Sequence, residues 1–283
     1  ERVIEKCIQH KIALYAIHTN LDNHFHGVNR EISNRLGLRD LKILSPMSQN
    51  LSKLVVFVPN ESLEQVDKAI FEAGGGKIGN YEECHFRTSG TGTFKPNQQA
   101  NPVIGESGIR AQVEEFRVEY LVNNYQVSSV LSAMNLTHPY EEVAYEIYPI
   151  QNVNPYEGAG MIGRLENPME ENEFLRLLKS TFNCGVIRHT RLLNEKIQTI
   201  AVCGGSGSFL LKDAIRQKAD IFITGDFKYH EFFDAENRIL IADIGHYESE
   251  QFTSKIIADK LKEKFTNFAI RLTEINTNPI NYF

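Results

Sequence analysis

The chain has 283 residues, 42% of them hydrophobic and 23% charged, which is enough for two domains with cores of their own and ordinary for a globular protein. It has no apolar run of membrane-spanning length, and its four cysteines, Cys7, Cys84, Cys184 and Cys203, form no C-x-x-C pair. That excludes a membrane-spanning helix and a disulfide scaffold, and the expectation is a reduced, cytoplasmic protein. The net charge of −6 is uneven: residues 53–150 hold 7 Lys+Arg against 13 Asp+Glu, and the remainder is balanced at 23 against 23. An acidic segment on a neutral frame has no electrostatic footprint for nucleic acid, so neither nucleic acid nor a membrane is an expected partner.

The first ten residues, "ERVIEKCIQH", place Val3, Ile4, Cys7 and Ile8 on one helical stripe without a cap or lead-in, so the expectation is a chain that begins inside a helix, with a segment missing upstream. Leu14–Ile17 reads as a strand that ends in "HTNLD", and "GVNREISNRLGL" as a helix stopped at Gly37. The middle segment follows with its own pattern. "KLVVFVP" is a strand and "SLEQVDKAIFEAGGG" an amphipathic helix; "NYEECHFRTSGTGTF" and "QVEEFRVEYLV" alternate as strands; "QVSSVLSAMNLT" is a second helix and "EEVAYEIYPI" a last strand. The order βαββαβ is ferredoxin-like.

After it, helices and apolar strands alternate: "EENEFLRLLKSTF", "GVIRHT", "KIQTIAVCGG", "SGSFLLKDAIRQKA", "DIFITGD", "KYHEFFDAENR", "ILIADIGH", the long helix "YESEQFTSKIIADKLKEKF" and a closing strand "NFAIRLTEI". This is the pattern of an α/β core with a largely parallel sheet. Residues 1–48 are too few to stand alone, so the expected organisation is a discontinuous core, 1–48 with 151–283, carrying an inserted domain, 49–150.

Ligands of open α/β sheets collect at the carboxyl ends of the strands. Three such ends are polar here: "HTNLD", "TGD" and "GHYESE". His246 and Glu250 are four residues apart, which puts both on one face of a helix. With Asp22 they make a mixed imidazole and carboxylate set suited to Zn, Mn, Fe or Co. Each element alone also has a plainer reading: H-x-x-x-E is commonly a surface pair, and a strand-end Asp a helix cap.

The stretches "YAIHTNLD", "GVN", "AVCGGSGS", "TGDFKYH", "ADIGHYESE" and "NTNPI" together resemble the Ngg-interacting-factor-like dinuclear metal-centre family, some members of which carry the label GTP cyclohydrolase I type 2. "GNYEECHFRTSGTGTFKP", "NPVIGE" and "HPYEEVAYEIYP" resemble the PII/CutA-like insert of longer bacterial members. The resemblance implies a toroidal homohexamer with two divalent metal ions per subunit. It would make Asp22 a ligand of one ion, His246 a ligand of the other and Glu250 a bridge, with His18 and Asp226 close by as candidate catalytic groups. Family members also carry a His-His pair before the "HTNLD" strand. Here only His10 precedes His18, so the pair is expected upstream of Glu1, or each ion loses a ligand. His24 and His26 are conceivable substitutes, although loop histidines are more often solvated.

Two further stretches carry weaker signals. "CGGSGS" between a strand and a helix could cradle an anion with its backbone N–H groups, or be a tight turn. "HPYEEVAYE" is most simply a helix-to-strand turn, in an insert that could gate a cavity or bind a small regulator. The expected function is therefore a metal-dependent hydrolase acting on a nucleotide or related small molecule. The alternatives are a metal-binding scaffold or metallochaperone with a sensing insert, or a structural protein whose metals hold an assembly together.

Overall fold

The computed structural model describes residues 2–282. It divides into two compact units, Glu1–Met47 with Pro155–Phe283, and Ser48–Asn154.

The first unit is built on a six-stranded sheet. Its strands are β1 (Arg39–Met47), β6 (Asn154–Glu170), β7 (Arg188–His189), β8 (Lys196–Ser206), β9 (Ile221–Gly225) and β10 (Leu240–Asp243), in the order β1-β6-β8-β9-β10-β7. The sheet is mixed. β8, β9 and β10 are mutually parallel, while β6 runs antiparallel to β8 and β7 antiparallel to β10. Every residue of β9 is buried, because its near-continuous apolar run is covered on both faces.

The period of two sorts the strand side chains into two cores. Ile200, Val202, Ile221, Ile223, Leu240 and Ala242 face one way, against α3 (Val28–Arg35) and α6 (Glu171–Thr181). Ala201, Cys203, Phe222 and Ile241 face the other, against α7 (Leu211–Arg216).

Several expected elements differ. Leu14–Ile17 is not a strand and neither is the closing "NFAIRLTEI". An apolar run becomes a strand only where a sheet edge takes up its backbone groups, and neither segment has one: Leu14 and Tyr15 are 69% and 86% exposed. "KYHEFFDAENR" forms tight 3-10 turns over Tyr229–Ala235 rather than an α-helix, and Glu236 and Asn237 end them in the left-handed region. The long terminal helix is broken into α8 (His246–Glu250) and α9 (Thr253–Lys264). At the break, Gln251 Nε2 donates to the carbonyls of Glu248 and Phe182, and Phe252 packs on Phe182. Two short helices, α1 (Arg2–Gln9) and α2 (Thr19–Asp22), precede α3.

The second unit has β2 (Leu51–Pro59), α4 (Leu63–Glu72), β3 (His85–Phe94), β4 (Ala111–Asn123), α5 (Val127–Thr137) and β5 (Tyr145–Ile150). Its antiparallel sheet has the order β3-β4-β2-β5, which is the ferredoxin-like arrangement the βαββαβ pattern predicts. Leu54, Val56, Val58, Val118, Tyr120 and Val122 pack against Val66, Ile70, Val130 and Met134 of the two helices. The first and last strands pair directly, Leu51 opposite Ile150. Among the described residues, no helix is long and apolar enough to cross a membrane.

Candidate metal centre

Because β8, β9 and β10 are parallel, their carboxyl ends share one edge of the sheet. Each ends in glycine followed by function: Gly204 and Gly205 on β8, Gly225 then Asp226 on β9, Gly245 then His246 on β10. His246 opens α8, and one turn later Glu250 comes back beside it, with His246 Nε2 at 3.3 Å from Glu250 Oε2. The other imidazole nitrogen, Nδ1, donates to Asp226 Oδ2 at 2.6 Å. Asp226 does so from the left-handed region, φ +53, a conformation that Asp tolerates better than most residues. Gly205 is required by space as well as by φ. A Cβ there would lie 2.4 Å from Glu250 Oε1 and 3.2 Å from His246 Nε2.

Asp22 arrives from the other end of the chain. Asn29, 2% exposed at the start of α3, donates through Nδ2 to the Asp22 carbonyl at 2.9 Å. Its Oδ1 accepts from Gly204 N–H, also at 2.9 Å, so one amide side chain stitches the "HTNLD" segment to the end of β8. Ser249 adds a second stitch: its hydroxyl accepts from Gly205 N–H at 2.9 Å and donates to the His246 carbonyl at 2.8 Å. Beneath them the buried carboxylate of Asp243 accepts from Phe227 N–H (2.9 Å) and Gly245 N–H (3.0 Å) and pairs with Arg188. It thereby fixes the turns that launch Asp226 and His246.

The electrostatics describe a cluster short of positive charge. Burial pushes the Asp22 carboxyl above its usual range, and the positive groups that oppose the rise are His18 and His246. Burial also raises Glu250; His246 opposes that, the charge of Asp22 adds to it, and His18 opposes it again. At His246 burial works against the imidazolium, but Asp226 and Glu250 outweigh it and the pKa rises. Cys203, beside the same carboxylates, is pushed up to about 12 by burial and by Asp22 and Glu250.

The structure thus brings Asp22, His246 and Glu250 into one neighbourhood, with Asp226 in contact with His246, and His18 acting on both Asp22 and Glu250. Direct side-chain contact is confined to the Asp226–His246–Glu250 chain. Among the described residues, no three His, Cys, Asp or Glu side chains are gathered closely enough to hold one ion. By donor type the set nonetheless fits a divalent cation. It offers two half-buried carboxylates and an imidazole whose Nδ1 is occupied by a carboxylate, which leaves Nε2 for coordination.

His24 and His26 do not join this set. They pack on each other with ring centroids 5.7 Å apart, and His26 also meets Phe25 edge-on. Within "CGGSGS", the N–H groups of Gly204 and Gly205 are spent on Asn29 and Ser249. Asn29, Asp243 and Ser249 escaped sequence reasoning. The available signals were an Asn opening a helix after Gly27 and an acid closing an otherwise apolar strand. A cavity of about 750 Å³ opens over Asp226, His246 and Glu250, walled by residues 273–280.

Comparison with known proteins now bears on this arrangement. The model of the family described as Duf34/NIF3 (NGG1p interacting factor 3) matches residues 1–279. The chain belongs to the Duf34/NIF3 family. Among its relatives, a protein of Halalkalibacterium halodurans is 39% identical over 99% of this chain and 77% of its own length, and one of Bacillus subtilis is 38% identical with the same coverage. Both are named GTP cyclohydrolase 1 type 2 homolog. The crystal structure of a Bacillus cereus protein related to NIF3 is similar to this Duf34/NIF3 chain with a TM-score of 0.84 at 36% identity, covering 100% of this chain and 77% of that one.

Proposed function

We propose that this Duf34/NIF3 chain is a divalent-metal-dependent hydrolase acting on a nucleotide or related small molecule, with Asp22, His246 and Glu250 as metal ligands. The observation that carries the reading is the Asp226–His246–Glu250 chain at the carboxyl ends of three parallel strands, with the Asp22 carboxylate acting on the same group. Half-buried carboxylates brought into one neighbourhood, with imidazoles as the positive groups beside them, are well accommodated by a cation. Divalent ions held there would supply Lewis acidity and lower the pKa of water toward neutrality. The chain's own residues would do the rest. Asp226 fixes the tautomer and angle of His246, Glu250 closes the set from the same helix, and His18 stands where it can accept or return a proton. The cavity beside them is of small-molecule size. The name shared by the relatives supports a nucleotide as the substrate class.

The loose gathering of the ligands favours a second reading, a metal carrier without turnover, since catalytic sites are held rigid by their supporting groups. Metal content per chain tests the site that both readings share. The proposal expects about two ions in the native chain and fewer in Glu250→Ala, since carboxylates shared between ions are how paired sites form. Near-zero metal in both would overturn it. Turnover of GTP or another nucleotide that disappears on chelation and returns with metal supports the hydrolase; metal binding with no turnover on any nucleotide supports the carrier.

A further inference from the structure

The inserted unit contains a second cavity, of about 440 Å³, that the metal centre does not explain. It lies over the end of the sheet where β3 meets β4. Glu115 of β4, 9% exposed, is among the residues that line it. Its neighbour across the ladder is Gly90, and two residues on, Gly92 leaves room for the carboxylate: a Cβ at Gly92 would lie 2.2 Å from Glu115 Oε2. Glu115 Oε1 accepts from the Tyr140 hydroxyl at 2.8 Å. Tyr140 is the one side-chain donor to this carboxylate among the described residues. A carboxylate on a cavity wall that accepts from one neutral donor keeps lone pairs for another, and a positively charged donor makes the stronger bond.

The surroundings are built rather than accidental. His138, 7% exposed, donates from Nε2 to the Phe57 carbonyl at 3.0 Å and accepts from Tyr140 N–H at Nδ1, which fixes the place of Tyr140. The Tyr140 ring packs against His138 and Phe94, with centroids 5.1 Å and 6.1 Å away. The loop from Lys95 to Arg110 is tied to itself through Asn97, and to the opposite wall by Asn101 N–H donating to Glu141 Oε1 at 2.9 Å. Phe57, Phe94 and Tyr140 supply ring faces and edges. Glu141 and Glu142 add carboxylates, against which Lys95 is the one cation among the lining residues. Aromatic faces around an anchoring carboxylate are the arrangement that receives an organic cation.

We propose that the inserted unit binds a small organic cation with an apolar body, its ammonium, amidinium or guanidinium nitrogen hydrogen-bonded to Glu115 and its body set among Phe57, Phe94 and Tyr140. The class follows from the cavity's chemistry and does not depend on the metal-centre reading.

The test uses the full chain and benzamidine as the probe, with neutral benzamide and anionic benzoate as controls, read by isothermal titration calorimetry. The expected result is saturable benzamidine binding, at least roughly tenfold tighter than benzamide, as the loss of a charged hydrogen bond requires. Benzoate should not bind. Glu115→Gln should weaken benzamidine by a similar factor, with its circular dichroism spectrum unchanged. Gly92→Ala, which crowds the carboxylate from an edge strand, should weaken it too and serves if Glu115→Gln does not fold. Equal affinity for benzamidine and benzamide, no saturation at millimolar probe, or undiminished binding by folded variants would each overturn the proposal.

Discussion

His246 donates its Nδ1 proton to Asp226 across 2.6 Å, and that single bond decides which face of the imidazole is offered to a ligand. Outer carboxylates of this kind orient metal-binding histidines and raise their basicity. Asp226→Asn keeps the tolerance of the left-handed backbone but loses the charge. It is expected to lower divalent-metal affinity roughly ten- to a hundredfold with little loss of stability. A competition titration against a chromophoric chelator, alongside a melting curve, measures both.

Gly205 shows the same site from the side of packing. With φ +64 and a prospective Cβ 2.4 Å from Glu250 Oε1, Gly205→Ala should strain the backbone and push the carboxylate away. The expected outcome is loss of bound metal comparable to that in Glu250→Ala, with a destabilisation of about 1–3 kcal/mol from the strained conformation. Elemental analysis and denaturant unfolding report the two effects separately. Full metal content in Gly205→Ala would mean that the carboxylate is not a ligand where it now stands.

Asn29 holds Asp22 and Gly204 with the two ends of one amide. Asn29→Ala leaves a buried carbonyl and a buried N–H without partners, at a cost of about 1–3 kcal/mol for each group left unsatisfied. Asn29→Asp keeps the acceptor for Gly204 but turns a carboxylate oxygen toward the Asp22 carbonyl in a buried site, so it should cost at least as much as Asn29→Ala. The midpoint of the core unit's unfolding transition ranks the three. A flat ranking would show that the stitch contributes nothing.

His138 gives the inserted unit a pH dependence. Burial is the chief cause that lowers its pKa from the ordinary 6.5, outweighing the Phe57 carbonyl and the charge of Glu115, which raise it. The unfolded chain therefore takes up this proton at higher pH than the folded one. Stability from this group is intact above 6.5, falls as the pH drops below it, and levels off once the folded-state pKa is passed. The slope cannot exceed about 1.4 kcal/mol per pH unit for one proton. Melting temperatures of the native chain and His138→Gln across this range should converge at low pH if His138 is responsible.

The sequence made some of this arrangement legible and hid the rest for physical reasons. The inserted ferredoxin-like sheet was readable because each strand carries its own alternation and each helix its own stripe. His246 and Glu250 could be paired by spacing, because a helix converts a separation of four into contact. Asn29 and Ser249 could not, since their partners are backbone groups 175 and 44 residues away and no local period encodes them. The segments around Leu14 and Phe268 have the composition of strands, but a strand depends on an available edge, which composition does not record. The mixed direction of the sheet was hidden likewise, because a strand reads the same to either neighbour.

The pairing of Leu51 with Ile150 bears on how the molecule folds. It sets the two ends of the inserted unit side by side, at the place where β1 leads out and β6 leads back. An unstructured insert would ask β1 and β6 to find each other across a loop of about 100 residues; a folded one reduces the effective loop to a handful, a saving of about 2–3 kcal/mol in closure entropy. A folded insert therefore shortens the loop that the two halves of the core, which carry Asp22 and Glu250, have to close.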